Sequence, residues 1–366
     1  NSELVQKFVD AGFNGIELYT AAEGPNSYNN FRDIVPNSSL LPIKSIHAPI
    51  AFTLDGKSAN FNLVREDKVA DKSLEVLAQV ARFAERHGCE EVTIHSWFTD
   101  PPYEISKSEA HQNMAKNLAK IKNDLGNVRI LAEVSPLVLW GWPTWFHKQT
   151  VMVTPEDYKE LFAEGDKHGL KLGWDADIDH MYRTALFMQF YGRNGEEYFK
   201  QVQEVIKKGK EAEFREDVCK KFLEFYNGDK KRAQQIANTF VTEMLTKLND
   251  RIGHMSVTGA DFVLDQSLEY NEGMSFEHMP VGYKGKLVAR NYTQNYKPIE
   301  SKVMHVEDQI DPLVYLKHAE DKPLILEFSS REPPVQQRKD YDFFEQAVAQ
   351  KKLLEGKLEV YPSFNY

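Results

Sequence analysis

Cysteine is scarce in this chain, and its scarcity excludes several kinds of site. Cys89 and Cys219 are the only two among 366 residues. Two cysteines are too few for a disulfide framework or for a zinc site built mainly from thiolates. The simple interpretation is a protein of a reducing compartment, and we expect it in the cytoplasm.

Long apolar runs and an excess of basic charge are also missing. No apolar run reaches the length that crosses a bilayer, and no signal peptide opens the sequence. Lys and Arg number 45 against 55 Asp and Glu, which gives a formal net charge of −10. An acidic chain is a poor default partner for nucleic acid or an anionic membrane, unless a local basic patch overrides the balance.

Several common catalytic motifs do not occur. The sequence has no G-x-S-x-G elbow and no Walker loop, and Gly253 and Gly259 do not form a dinucleotide fingerprint. Cys89 lies between a predicted helix and the start of a strand, on the face of a barrel opposite to the usual active site. Nucleophilic and nucleotide-dependent chemistries therefore find little support.

Short apolar, β-branched segments alternate with amphipathic helical segments along the chain. This alternation is typical of a parallel sheet with crossover helices, the α/β class. An eight-stranded (β/α)8 TIM barrel requires one more strand than we count, and we expect that first strand before the opening helix and outside this chain. The predicted strands lie near residues 16, 46, 94, 131, 174, 254 and 326.

The domain organisation predicted from this pattern is a single barrel over residues 1–366. Residues 183–250 are helical in pattern and too long for one crossover, so we interpret them as a helical insertion after the sixth barrel strand. We expect the insertion to form a wall of the substrate pocket or a homodimer contact. Residues 258–298 are rich in glycine and predicted to be irregular, and residues 304–319 are predicted to be a helix.

Acidic residues and histidines stand at the ends of nearly all the predicted strands. Strands buried on both faces should be almost purely apolar, and the carboxyl ends of barrel strands carry the active site. Imidazole nitrogens and carboxylate oxygens are the usual ligands of catalytic divalent metals. One such histidine alone could be a core residue, and Glu17 could be a structural acid, but the set together predicts a metal centre: Glu17, His47, His95, Glu133, Asp177 with His180, His254 and Glu327.

At these same positions the chain resembles a known superfamily. The ordered segments IELY, IHAP, TIHSW, LAEVSP, DADIDH, IGHMS, EHMPVGYKGK and ILEFS are similar to those of the xylose-isomerase-like TIM barrels. That group contains sugar isomerases and epimerases and the endonuclease IV family, AP endonuclease family 2. The resemblance to the epimerases implies one metal held by Glu133, Asp177, His254 and Glu327.

The resemblance to endonuclease IV implies ligands for two further metals, which are His47, His95, His180 and His278. Two departures weaken that match. Phe276 stands where the nucleases have an aspartate, and HMSVTGAD replaces the polar stretch that follows their seventh-strand histidine.

The function that we expect is a divalent-metal-dependent sugar or sugar-phosphate isomerase or epimerase, with Mn, Zn, Mg or Co as the metal. Glu133 and Glu327 would move the proton beside a metal-bound carbonyl. The alternatives are an abasic-site DNA endonuclease with a multinuclear zinc site, and a barrel that binds a partner without chemistry. The expected contacts to a small carbohydrate substrate are Glu17, Trp97, Trp142 and Arg183, although tryptophans near strand ends also serve as core packing and arginines are often solvated.

Overall fold

The computed structural model describes most of the predicted barrel. Only the backbone is described at residues 2, 4–5, 98–99, 149–150, 191, 261, 276–279, 285–292, 298–306 and 343. The backbone is described for residues 2–20, 41–95, 98–99, 105–134, 149–150, 152–192, 204, 208, 221–222, 224–261, 276–279, 281, 284–292, 298–319, 322–326 and 343–355.

Seven strands form the principal sheet, and their spatial order is the same as their order along the chain. All the pairings described between these strands are parallel. The prediction of seven strands from the sequence is confirmed at all seven positions. The strands are β1 (Ile16–Tyr19), β2 (Ile43–His47), β3 (Glu91–Ile94), β4 (Arg129–Glu133), β5 (Leu172–Asp175), β6 (Ile252–Val257) and β7 (Leu324–Leu326).

Helices lie between most of these strands, as the parallel arrangement requires, because a parallel pair needs a crossover connection. The chain is therefore an α/β protein of the (β/α) TIM-barrel class. The helices are α1 (Ser2–Asp10), α2 (Lys68–Arg86), α3 (Lys107–Lys120), α4 (Lys122–Leu125), α5 (Pro155–Lys167), α6 (Ile178–Tyr191), α7 (Lys230–Lys247), α8 (Pro312–Leu316) and α9 (Phe343–Leu354).

Local sequence signals set the ends of these helices. At the start of α5 the Thr154 side chain accepts from the backbone N–H of Asp157, and the Asp157 carboxylate accepts from the backbone N–H of Thr154. This capping box satisfies two donors that the first helical turn leaves open, and Pro155 fits the first position because it has no N–H. Asp67 caps α2 in a similar way, by accepting from Val69 and Ala70.

The chain divides into two compact units. The first comprises residues 1–135, 149–176 and 247–254, and the second comprises 136–148, 177–246 and 255–366. The single-domain organisation expected from the sequence stays a prediction. The first unit holds the strands β1 to β5 and the start of β6 as far as His254. Its core includes Ile46, Val92, Ile130 and Trp174.

In the second unit the described part of the predicted insertion is helical. Its packing is aromatic: Phe222 contacts the rings of Phe187, Phe190 and Tyr226, and the Tyr226 hydroxyl donates to the carbonyl of Leu186 at 2.6 Å. A turn interrupts the helical segments at Asn227 and Gly228, where both residues have positive φ angles, 46° and 69°. Glycine adopts such angles without strain.

Two predictions for residues beyond the insertion are wrong in part. Residues 304–307 belong to a strand, Pro298–Glu307, which pairs antiparallel with Lys284–Tyr292. Helix α8 is only five residues long and begins after the Asp311 cap. The segment 258–298 was predicted to be irregular. It contains two short strands that pair antiparallel, Gly259–Asp261 and Phe276–Met279, and also the strand Lys284–Tyr292. Short apolar runs do not distinguish helix from strand by periodicity.

Additional short antiparallel pairs join the strand Ala51–Leu54 to Lys57–Asn60, and the strand Phe98–Thr99 to Gln149–Thr150.

Within the described ranges, none of the helices combines the length and the apolar character that a membrane span requires.

Candidate metal centre

Three predicted ligands of the first unit meet at the carboxyl ends of adjacent strands. His47 is the last residue of β2, His95 follows β3, and Glu133 is the last residue of β4. Nε2 of His47 lies 2.9 Å from Oε2 of Glu133, and Nε2 of His95 contacts the same oxygen. One ligand atom from each residue lies within 4.8 Å of the others, and His47 and Glu133 are buried.

The hydrogen bonding of His47 determines which face of its ring can bind a cation. Its Nδ1 atom lies 2.8 Å from the carbonyl oxygen of Ala48. A carbonyl can only accept, so Nδ1 carries the proton and donates. In the neutral ring Nε2 then presents its lone pair to the Glu133 carboxylate. Two acceptors at 2.9 Å require a proton or a metal ion between them.

The protein environment raises the pKa of His47 above its ordinary value. Burial of the imidazole lowers this pKa, but the hydrogen bond and the charge of Glu133, together with Glu17, more than offset the effect of burial. The site therefore favours a positive charge at Nε2. Metal-binding histidines characteristically donate their other ring N–H to a carbonyl or carboxylate, as His47 does.

Glu133 is itself held by a neighbour from helix α5. The hydroxyl of Tyr158 donates to the backbone carbonyl of Glu133 at 3.3 Å. Tyr158 is fully buried, and burial raises its pKa well above the usual value for a phenol. It therefore remains a neutral donor. The capping box that starts α5 fixes the position of Tyr158, which is the fourth residue of the helix.

His254 lies in a different group of charged residues in the first unit. Its Nδ1 atom is 3.1 Å from Oε2 of Glu91, and its Nε2 atom is 3.0 Å from Oδ2 of Asp175 and 3.6 Å from Oε2 of Glu17. Both ring nitrogens of His254 therefore face carboxyl groups. Burial lowers the pKa of His254, but Asp175, Glu91 and Glu17 raise it well above its ordinary value.

The approach of Glu91 to His254 depends on the glycine before it. A Cβ at Gly253 would lie 2.7 Å from Oε1 of Glu91, so a larger residue would displace that side chain. Glycine inside a strand commonly marks such a close approach. The ligand role of His254 implied by the resemblance stays a prediction, and it requires a metal ion to replace the Asp175 contact.

Asp177 and His180 belong to the second unit and interact with each other. The Asp177 side chain caps helix α6 by accepting from the backbone N–H of His180 at 2.9 Å, and its Oδ2 lies 3.0 Å from Nδ1 of His180. Both residues are buried. This contact engages Nδ1 of His180 with the cap residue of the same helix. Arg183 follows one turn later, with Nε 3.8 Å from Oδ1 of the buried Asp179.

Some predicted site residues cannot be placed. Trp97, Trp142, Glu327 and the side chain of His278 lie outside the described residues. The sequence analysis missed two residues of the His254 group, Asp175 and Glu91. Asp175 stands at a strand end and could have been selected by the same criterion as its neighbour Asp177, whereas Glu91 stands at the opposite end of its strand.

The group formed by His47, His95 and Glu133 fits a divalent metal. In a tetrahedral shell with metal–nitrogen distances of about 2.0–2.1 Å, neighbouring ligand atoms are about 3.4 Å apart. Nε2 of His47, which lies 2.9 Å from Oε2 of Glu133, would move outward by about 0.5 Å to admit the ion, and His95 would also move outward. Two neutral imidazoles and one carboxylate would leave net positive charge on the ion. Cys89 offers no competing chemistry, since it is buried, donates to the Glu91 carbonyl, and has its pKa raised by burial to about 11.

Comparisons with known proteins identify the fold. No protein-family model matches the chain, and no curated protein sequence matches it. Among solved structures, a D-tagatose 3-epimerase-like protein is similar over 98% of this chain and 93% of its own, with 15% identity and a TM-score of 0.51. An L-ribulose 3-epimerase has 12% identity over 98% and 88% of the two chains, with a TM-score of 0.49.

A further similar structure is a probable 3-DHS dehydratase involved in petrobactin synthesis from Bacillus anthracis. Its identity is 14% over 96% of this chain and 92% of its own, with a TM-score of 0.48. At these identities the similarity concerns the fold. The chain has the TIM-barrel fold that the sequence predicts, and it shares that fold with the D-tagatose 3-epimerase-like protein.

Proposed function

We propose that this protein is a divalent-metal-dependent isomerase or epimerase that acts on a small carbohydrate. The observation that carries the proposal is the pairing of His47 with Glu133. Nδ1 of His47 lies against a backbone carbonyl, and its Nε2 atom is 2.9 Å from a buried carboxylate oxygen that a second imidazole also contacts. This is an arrangement of ligand atoms that a cation stabilises.

His47, His95 and Glu133 would hold the ion in this proposal, and Asp177, His254 and Glu327 are the further ligands that the resemblance implies. A divalent ion at this position would supply Lewis acidity, which makes the C–H beside a coordinated carbonyl more acidic. The expected metal is Mn, Zn, Mg or Co, since a mixed nitrogen and oxygen donor set accepts each of them.

Glu133 is the described candidate for proton transfer. Its carboxylate lies at the carboxyl end of β4, where barrel enzymes place catalytic groups. Only 2% of its side chain is exposed, so the carboxylate is largely buried at the strand end. Glu327 is its proposed counterpart. Of the residues proposed to contact the substrate, Glu17 and Arg183 are among those that the structure describes.

The fold adds support to this assignment. The structure with a TM-score of 0.51 carries the name of a D-tagatose 3-epimerase-like protein. A shared barrel does not determine activity by itself, because barrels of one class host many reactions. The ligand atoms of His47, His95 and Glu133 and their burial are what favour this activity.

The test is a panel of aldoses, ketoses and their phosphates, incubated with metal-loaded protein in deuterated water. We expect interconversion of one sugar pair and entry of deuterium at the carbon that changes. The matched control is Glu133→Gln, which keeps the size of the side chain and removes the base. If no sugar of the panel exchanges a proton or changes configuration, the proposed reaction is wrong.

One observation favours a second candidate function. His47 and His95, which converge on Glu133, are ligands that the resemblance implies for the additional metals of endonuclease IV-like abasic-site nucleases. A multinuclear zinc site of this kind cleaves phosphodiesters by clamping the attacking and leaving oxygens. The net charge of −10 opposes binding to a polyanion.

Cleavage of a duplex that contains one abasic site distinguishes the two candidates. Metal-dependent cutting of this DNA, together with two or three metals per chain, would support the nuclease. We expect no such cutting at protein concentrations that turn over the sugar.

A further inference from the structure

Two residues at the end of β1 contact His47 from the neighbouring strand. Tyr19 is paired with His47 in the parallel register of β1 and β2, and its ring stacks on the imidazole, with centroids 4.6 Å apart and planes inclined by 26°. Tyr19 is 53% exposed, whereas His47 is 2% exposed. An exposed aromatic ring therefore covers part of a buried imidazole.

Thr20 fixes the backbone of the same histidine. Its N–H donates to the His47 carbonyl at 3.0 Å and its hydroxyl donates to that oxygen at 2.8 Å. Thr20 is fully buried. A strand could make the first bond with many residues at position 20, but the second requires a hydroxyl.

These contacts restrict every part of His47 that determines where Nε2 points. The two bonds from Thr20 hold its carbonyl, the Ala48 carbonyl holds Nδ1 at 2.8 Å, and the Tyr19 ring restricts rotation of the imidazole about its χ2 bond. On the inner side, the His95 ring lies with its centroid 4.6 Å from that of His47. The histidine is thus oriented before any ion binds.

We propose that Tyr19 and Thr20 are positioning residues for His47 and together set the metal affinity of the centre. The inference rests on the metal centre of the proposed function and goes beyond it, because both residues act through their contacts with His47. Residues that orient a metal ligand through hydrogen bonds and packing typically change affinity by about 10- to 100-fold when they are replaced.

The experiment is calorimetric titration of Zn²⁺ into chelator-treated protein, with two pairs of variants. Thr20→Val keeps the shape of the side chain but removes the hydroxyl, and Thr20→Ser restores it. Tyr19→Leu removes the stacking ring, and Tyr19→Phe keeps it. We expect the Val and Leu variants to bind zinc about 10- to 100-fold more weakly and the Ser and Phe variants to bind as the wild type does.

A control separates orientation of His47 from general loss of stability. The buried Ser73 hydroxyl donates to Val69 within α2 and accepts from Asn62, so Ser73→Ala should lower stability without a change in zinc affinity. Because Tyr19 is more than half exposed, its variants should fold even if Thr20→Val does not. Equal zinc affinity in wild type and Tyr19→Leu would overturn the inference and leave the metal centre intact, whereas absence of zinc binding in the wild type would overturn the centre itself.

Discussion

The Nε2 atom of His47 lies 2.9 Å from Oε2 of Glu133, while the other nitrogen of the same ring donates to a backbone carbonyl. This contact is the basis of the metal centre that we propose in the first unit. It identifies His47 as a histidine whose Nε2 atom faces a carboxylate, so that a proton or a metal ion must lie between them. His254 differs, since each of its nitrogens lies within 3.1 Å of a carboxylate oxygen.

The first prediction concerns Glu133. Replacement of Glu133 by Gln keeps one oxygen but removes the negative charge and the base, so we expect weaker metal binding and a turnover that falls by a factor of about 100 or more. Steady-state kinetics with saturating metal measures the loss. Glu109→Gln, an exposed position on α3, is the matched control and should retain full turnover. Retained turnover in Glu133→Gln at saturating metal would exclude a role as the base.

A second prediction concerns the stability supplied by His254. His254→Gln leaves the carboxylates of Asp175, Glu91 and Glu17 without their shared cation, and breaking a buried ion pair in this way costs about 3–5 kcal/mol. Urea unfolding in the presence of a chelator measures the free energy of unfolding. A loss smaller than about 1 kcal/mol, the usual value of an exposed pair, would show that the buried pairing is not formed.

The pH dependence of that loss has a definite sign. The pKa of His254 is raised on folding, so the contribution of its charge is complete below the ordinary histidine value of 6.5 and decreases as the pH rises through the folded pKa. The difference in stability between wild type and His254→Gln should therefore be larger at pH 6 than at a pH above the folded pKa. A difference that grows with pH would contradict the assignment.

The third prediction is that Cys89 resists alkylation in the folded protein. Its pKa is raised to about 11 by burial, so only about one molecule in a thousand carries the reactive thiolate at pH 8. Iodoacetamide followed by peptide mass spectrometry should show modification of Cys89 only after unfolding in denaturant. Equal rates of modification with and without denaturant would mean that the thiol is accessible and ionised in the native state.

The fourth prediction concerns the cap of α5. Thr154→Ala removes the side-chain acceptor of the capping box and should lower the free energy of unfolding by about 1 kcal/mol. Thr154→Ser keeps the hydroxyl and should be close to wild type in chemical denaturation. Indistinguishable midpoints for the Ala and Ser variants would show that the cap contributes nothing measurable.

Much of the fold could be predicted because the barrel strands are short, β-branched and separated by amphipathic helices. The strand Pro298–Glu307 was missed, since a few apolar residues in an ambiguous window support helix and strand equally. The strand Pro298–Glu307 is defined by its antiparallel pairing with Lys284–Tyr292. The periodicity of its own residues does not reveal that pairing.

The candidate site shows a similar division. His47, His95 and Glu133 could be found because each ends or follows a buried strand. Asp175 and Asp177 are two residues apart, so alternation along a strand places them on the same side, and the pattern cannot choose between them. The structure ends β5 at Asp175 and uses Asp177 to cap α6. Glu91 was not predicted as a site residue, because it is the first residue of β3 and lies at the opposite end of that strand from His95.

The metal content of the protein tests the central claim most directly. Wild type and His47→Gln would be purified in parallel, dialysed exhaustively against metal-free buffer, and analysed for transition metals by mass spectrometry. We predict at least one tightly held divalent metal per wild-type chain and a marked loss in His47→Gln. A wild-type chain that retains no metal and binds none on titration with Zn²⁺ or Mn²⁺, or a variant that retains as much as the wild type, would contradict the account.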